Sequence, residues 1–208
     1  MKNDNLLEMS VTDFVEATAA KTPTPGGGSV AGVVGALGVA LGRMALNFTL
    51  GKKKYAEHEE FHEHLARRLE TAGAMFESLV ADDVAAYRLY QAAMKKPDDA
   101  PDKASAVQLA TAAAIDVPRE VTKLALAVLE DLKALGPTSN PYLITDLLAA
   151  GVLAVAAAKL SDYNVRINVP YVKDTKAAAE IKQASANDLT KAQALLANIE
   201  SAAKDLLP

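Results

Sequence analysis

Three short stretches of the chain carry side chains able to do chemistry. In VADDVAAYRLY (residues 80–90), Asp83, Tyr87 and Tyr90 stand at i, i+4 and i+7 and share one face if the segment is helical. A carboxylate backed by tyrosines and apolar helices acquires a raised pKa, which suits proton transfer near neutrality. Asp82 points elsewhere, and on spacing alone both acids read better as ordinary surface carboxylates. In GKKKY (residues 51–55), Lys52, Lys53 and Lys54 form a compact cationic turn that either receives an anionic ligand or is simply solvated. HEEFH (residues 58–62) is a literal H-E-x-x-H, which on a helix puts His58 and His62 on one face with Glu59 as a base. A catalytic zinc site needs a third ligand. His64 points to another face, and Glu77 lies roughly 22 Å further along the same helix. The surrounding EHEEFHEHLARRLE reads more simply as a charged, solvated face, so no metal is expected.

A fourth stretch offers backbone rather than side chains. TPTPGGGS (residues 22–29) ends in Gly27, Gly28 and Ser29, just ahead of a long apolar segment. The strand and terminal Gly-Lys-Ser/Thr of a phosphate-binding loop are missing. What remains is a glycine turn leading into a helix N-terminus, whose free amides favour anionic or carbonyl groups. A tight turn between crossing helices explains the glycines equally well.

The elements that must position these groups are helical throughout. Half of the 208 residues are hydrophobic, only 5% are aromatic, and no alternating strand-like run exceeds a few residues. Small apolar residues at this density point to closely packed helices. A short helix is expected from Ser10 to about residue 20. The two prolines and three glycines of the next segment forbid a helix there, and Ser29 is expected to cap the following one. That helix, SVAGVVGALGVALGRMALNFTL, has one charge in 22 residues. It is long enough for a membrane span, but it reads better as a central helix buried in protein. Its Gly32, Gly35, Gly38 and Gly42 make a stripe along which another helix can approach closely. A helix of roughly 60 Å follows over residues 56–95, then one from residue 102 that is kinked at Pro118. Thr145 and Asp146 open a further apolar helix. NVRINVPYV (residues 164–172) is expected to be extended, so that Asn164, Arg166 and Asn168 face one side. Asp174 opens the last helix. With no repeat or linker, the chain reads as one domain over residues 1–208, an all-α bundle.

Composition narrows the function. There are no cysteines, which excludes disulfides, thiol catalysis and Cys-bound zinc. The net charge of −4 gives no basic field for nucleic acid. MKNDNLLEMS has no signal-peptide core, so a cytoplasmic protein without membrane association is expected. The broad apolar faces of such long helices point to a homodimer.

The order of motifs TPTPGGGSVAG, FTLGKKKY, VADDVAAYRLY, AAIDVP, a Thr-Asp helix start and NVRINV resembles the cyclodeaminase/cyclohydrolase family of folate enzymes over roughly residues 10–200. NPYLITD departs from that pattern at Thr145. The resemblance implies an all-helical homodimer binding folate in a cleft at or near the subunit interface, without metal or redox cofactor. It implies methenyltetrahydrofolate cyclohydrolase activity. The alternatives are formiminotetrahydrofolate cyclodeaminase activity with ammonia release, or a non-catalytic folate-binding or scaffold role. Asp83 would be the catalytic carboxylate and Tyr87 its neighbour at the substrate. Gly27, Gly28 and Ser29 would line the site, and Lys52, Lys53 and Lys54 would hold the folate glutamate. Asp146 would take the pterin amino edge, with Asn164 and Arg166 lining the cleft. Asp116-Val117-Pro118 receives no role.

Overall fold

The computed structural model describes residues 5–206, so residues 1–4, on which the leader reading partly falls, and residues 207–208, to which the final helix was expected to run, lie outside it. Six α-helices make up the described residues, with 3₁₀ turns and no strand. They are α1 (Val11–Ala19), α2 (Gly27–Asn47), α3 (Glu59–Met94), α4 (Lys103–Leu135), α5 (Ile144–Asn168) and α6 (Thr175–Ala203).

The caps explain several boundaries. Ser10 Oγ accepts from the Asp13 amide and starts α1. Asp174 accepts from the Lys176 and Ala177 amides and starts α6. Each satisfies amides that have no partner within the helix. α2 differs from expectation. It begins at Gly27, its N-cap is Gly26, and no side chain caps it. Ser29 therefore lies inside the first turn, where its hydroxyl is free to bond elsewhere.

α2 is the centre of the bundle, packed by α3, α4 and α5. Its glycines face three different neighbours rather than one. A Cβ at Gly32 would fall 2.6 Å from Val80 Cγ2 of α3, and one at Gly35 would enter the Phe76 ring. At Gly38 it would meet the Ala150 carbonyl oxygen of α5 at 3.1 Å, and at Gly42 it would meet Leu132 Cδ2 of α4 at 2.7 Å. Each missing side chain lets a helix close in, and the core is filled by Phe76, Leu46, Leu69, Leu129, Leu132 and Leu147. By length and composition, α2 and the stretch containing α5 could each cross a membrane, but half of α2's most apolar stretch is buried within the bundle.

α4 runs unbroken through Pro118. α5 also runs further than expected, because NVRIN is helical rather than extended. Asn164 and Asn168 donate their side-chain amides to carbonyls four residues back, at Leu160 (3.0 Å) and Asn164 (2.8 Å). Arg166 pairs with Asp162 at i−4, 3.6 Å away. Val165 and Val169 are buried against Ile115, and this packing overrides the strand preference of the β-branched residues.

Candidate active site

The structure brings Gly27, Gly28, Ser29, Asp83, Tyr87 and Asn164 to one end of the bundle. Ser29 is fully buried, and its hydroxyl donates to Asp83 Oδ2 at 2.7 Å. Gly28 is required beside it, because a Cβ there would fall within the Asp83 carboxylate. The first turn of α2 thus lies directly on this acid, in the orientation in which helix amides favour negative charge. A Cβ at Gly27 would lie 3.7 Å from Asn164 Nδ2, which places the amide of α5 under the same turn.

Asp83 forms part of the wall of a cavity of about 290 Å³. Tyr87 and Tyr90 from α3, Pro118 from α4, and Asn164, Asn168 and Tyr171 from the end of α5 and beyond complete much of the lining. The shared face of Asp83, Tyr87 and Tyr90 is therefore as the spacing predicts. Burial pushes the Asp83 carboxyl above its ordinary value, and the hydrogen bonding of Ser29 pulls it partly back. The result is an acid that ionises less readily than a surface carboxylate while one oxygen is held by a fixed donor. Gln91 Nε2 donates to the Tyr87 hydroxyl at 2.8 Å and orients that ring.

Other predicted site residues lie elsewhere. Lys52, Lys53 and Lys54 are exposed in the turn beyond the far end of α2. With Ser29 and Asn47 eighteen residues apart, that end is roughly 27 Å from Ser29. Gly51, at φ +69°, makes the left-handed bend that presents them. Asp146, half-buried, sits in the first turn of α5 at the same far end, roughly 27 Å of helix from Asn164. Asn140 ties this end together: its amide donates to Thr49 Oγ1 at 3.0 Å. Arg166 does not line the cavity, since on a helix it turns away from Asn164 and Asn168 to pair with buried Asp162. An apolar cavity of about 340 Å³, with Lys54 and Lys133 in its wall, also lies at the far end, but no carboxylate lines it.

Three contributors were read with the wrong partner or with no role. Ser29 was expected to line the site and to cap α2, but its hydroxyl bonds to Asp83, 54 residues away. Asn168 was grouped with Arg166 on the assumption of an extended chain, whereas the helical spacing of four groups it with Asn164. Pro118 has no amide for the Ala114 carbonyl, and that oxygen instead accepts from Asn168 Nδ2 at 3.3 Å. The proline signals this contact only once the opposing helix is known.

The H-E-x-x-H stretch is structural in its geometry. His58 lies in the turn before α3 and is half-exposed, whereas His62 is fully buried. His62 Nε2 lies 3.0 Å from Thr138 Oγ1, whose own proton goes to the Leu135 carbonyl at 3.1 Å. Nε2 is therefore the protonated nitrogen. Among the described residues, no three His, Cys, Asp or Glu side chains converge as a metal-ligand set.

The chain is similar to known proteins in family, sequence and fold. The formiminotransferase-cyclodeaminase family model matches residues 10–187. Methenyltetrahydrofolate cyclohydrolase from Methylorubrum extorquens is 30% identical over 175 residues, covering 82% of this chain and 84% of that protein. Formimidoyltransferase-cyclodeaminase from Sus scrofa is 28% identical over 91% of this chain, which spans only 36% of that longer protein. The crystal structure of formiminotetrahydrofolate cyclodeaminase from Thermotoga maritima superposes with a TM-score of 0.82 at 28% identity, covering 97% of both chains. Matched over most of its length by sequence and nearly all of it by fold, the chain belongs to the formiminotransferase-cyclodeaminase family.

Proposed function

We propose that the chain is a tetrahydrofolate one-carbon enzyme that hydrolyses methenyltetrahydrofolate to formyltetrahydrofolate at Asp83. The observation that carries this reading is the Asp83 carboxylate, held by Ser29 beneath a glycine turn in the wall of a cavity. The substrate is a cationic amidinium whose one-carbon bridge joins a pterin-ring nitrogen to the aniline nitrogen. An ionised Asp83 stabilises that cation and takes a proton from the water that attacks the bridge carbon. The product of this step is a tetrahedral carbinolamine. Asp83 then returns its proton to the pterin-ring nitrogen, whose bond to the bridge carbon breaks. The carbinolamine hydroxyl loses its proton to solvent, and the formyl group stays on the aniline nitrogen. A carboxylate with a raised pKa serves both steps.

The formiminotetrahydrofolate cyclodeaminase structure, matched over 97% of both chains, supports a second reading. There the aniline nitrogen attacks a formimino carbon and ammonia leaves, again through a tetrahedral one-carbon centre. The same carboxylate would move the protons.

A homodimer belongs to this proposal. Only 39% of the most apolar stretch containing α5 is buried within the chain. Leu37 of α2 and Val152 of α5 are each about half exposed, at 54% and 48%, on helices that meet at Gly38. A second copy would cover these faces, and only from a second copy can Lys52, Lys53 and Lys54 reach a folate lying at Asp83.

The test is the loss of the near-ultraviolet band of methenyltetrahydrofolate, with and without EDTA. Chelator-insensitive acceleration over the spontaneous rate is expected. Asp83→Asn should lower turnover by roughly a hundredfold or more while tetrahydrofolate still binds. Near-wild-type turnover in this variant would remove Asp83 from the mechanism. Ammonia release from the formimino substrate, without methenyl hydrolysis, would select the second reading.

A further inference from the structure

Asn164 and Asn168 are each held by backbone carbonyls in a way that leaves the side-chain oxygen without a partner. Leu160, Ala114 and Asn164 each offer a backbone carbonyl, which can only accept, so the side-chain atom facing each of them must be an N–H. Asn164 Nδ2 donates to Leu160 (3.0 Å), while Asn168 Nδ2 donates to both Asn164 (2.8 Å) and Ala114 (3.3 Å). Asn168 thereby commits both of its N–H bonds, one of them to the carbonyl that Pro118 leaves without a helix partner. Neither Oδ1 accepts a hydrogen bond from any described residue. Both residues line the cavity that holds Asp83, one helical turn apart on one face of α5.

We propose that Asn164 and Asn168 are a pair of fixed hydrogen-bond acceptors that reads the N–H-rich edge of the ligand's heterocycle. This rests on the folate reading above, under which that edge is the aminopyrimidinone of the pterin, with its exocyclic amino group and ring N–H. Within one chain, Asp146 lies too far from Asp83 to serve that edge while the one-carbon bridge lies at Asp83. The asparagine pair stands in the same cavity as the carboxylate. Neither side chain can rotate to exchange its oxygen for an N–H without losing a bond to a backbone carbonyl, and Asn168, with both N–H bonds committed, has no donor left to offer a ligand acceptor. Replacing the amino group by methyl therefore leaves an unpaired oxygen in the cavity wall, which is the condition under which a polar site discriminates strongly.

The experiment compares the affinities of the full chain for tetrahydrofolate and for its 2-desamino-2-methyl analogue by titration calorimetry. Wild type should prefer tetrahydrofolate by about tenfold or more, and the preference should collapse toward unity in Asn168→Ala and Asn164→Ala. Because both ligands are measured on one preparation, loss of folded protein cancels from the ratio. If Asn168→Ala does not fold, Asn164→Ala carries the test, since its amide bonds only to its own helix. Equal affinities in wild type, or an unchanged preference in the variants, would overturn the acceptor pair and leave the folate reading standing. Failure of wild type to bind either ligand would overturn both.

Discussion

At the residue scale, Asp83 is held away from its intrinsic preference. In the unfolded chain it ionises like any aspartate, with a pKa near 3.8, whereas burial raises that value in the fold. The folded state therefore binds the proton more tightly, and ionisation of Asp83 costs stability at every pH above the folded value. That cost is absent below the unfolded pKa and develops as pH rises through the interval between the two values. Asp83→Asn should consequently melt at a higher temperature than wild type near neutrality, with the gap closing below about pH 3.9. Thermal melts across this range check it. In wild type, the acid limb of kcat/KM should lie above the ordinary aspartate pKa, because base action needs the ionised form. The face that Asp83 shares with its tyrosines could be read from spacing, and the choice of Asp83 as the acid came from the family resemblance. The environment of Asp83 could be read from neither, since Ser29 Oγ and the Gly28 backbone come from another helix.

At the element scale, local capping chemistry was legible and packing-dependent structure was not. Ser10 and Asp174 start their helices as their side chains predict. Asp174→Ala should destabilise the chain by about 1 kcal/mol, or roughly 2–4 °C in Tm for a domain of this size, measured by thermal denaturation. Turnover should be unaffected, because Asp174 lies outside the Asp83 cavity lining. Two segments misled for opposite reasons. Glycine and proline in TPTPGGGS suggested a turn, yet Gly27 and Gly28 are helical, and at Gly28 only glycine fits where Asp83 meets the helix. Valine and isoleucine in NVRINV suggested a strand, yet buried Val165 and Val169 and the Asn–carbonyl bonds hold a helix. Both misreadings fall at the Asp83 end of the bundle, where contacts between helices decide the local conformation.

At the scale of the whole molecule, the helical class and the order of the elements followed from composition and motif order. The separation of the lysine turn from Asp83 did not, because antiparallel helices put sequence neighbours of α2 at opposite ends of the bundle. This arrangement makes a strong prediction for the proposed dimer. Inactive Asp83→Asn subunits, mixed equally with subunits carrying Lys52→Gln, Lys53→Gln and Lys54→Gln, should regain activity after subunit exchange. If each site takes its acid from one subunit and its lysines from the other, half of the dimers are hybrids with one intact site of two. About a quarter of wild-type activity should then return. Activity retained by the triple lysine variant alone would place the lysines outside the site, and no recovery from two inactive parents, with exchange verified by mass, would place the acid and the lysines of each site on one subunit.

The central pair of helices also sets a timetable for synthesis. α2 and α5 pack against each other, but 96 residues separate the end of one from the start of the other. At roughly 5–20 residues per second, α2 leaves the ribosome about 5–20 s before the helix that covers it. During that interval Ser29 and Asp83 can already meet, because α3 follows α2 directly. The glycine surface that later receives Ala150 and Leu153 stays open. The asparagine wall of the cavity is made last, so the nascent chain holds its acid before it holds the wall opposite.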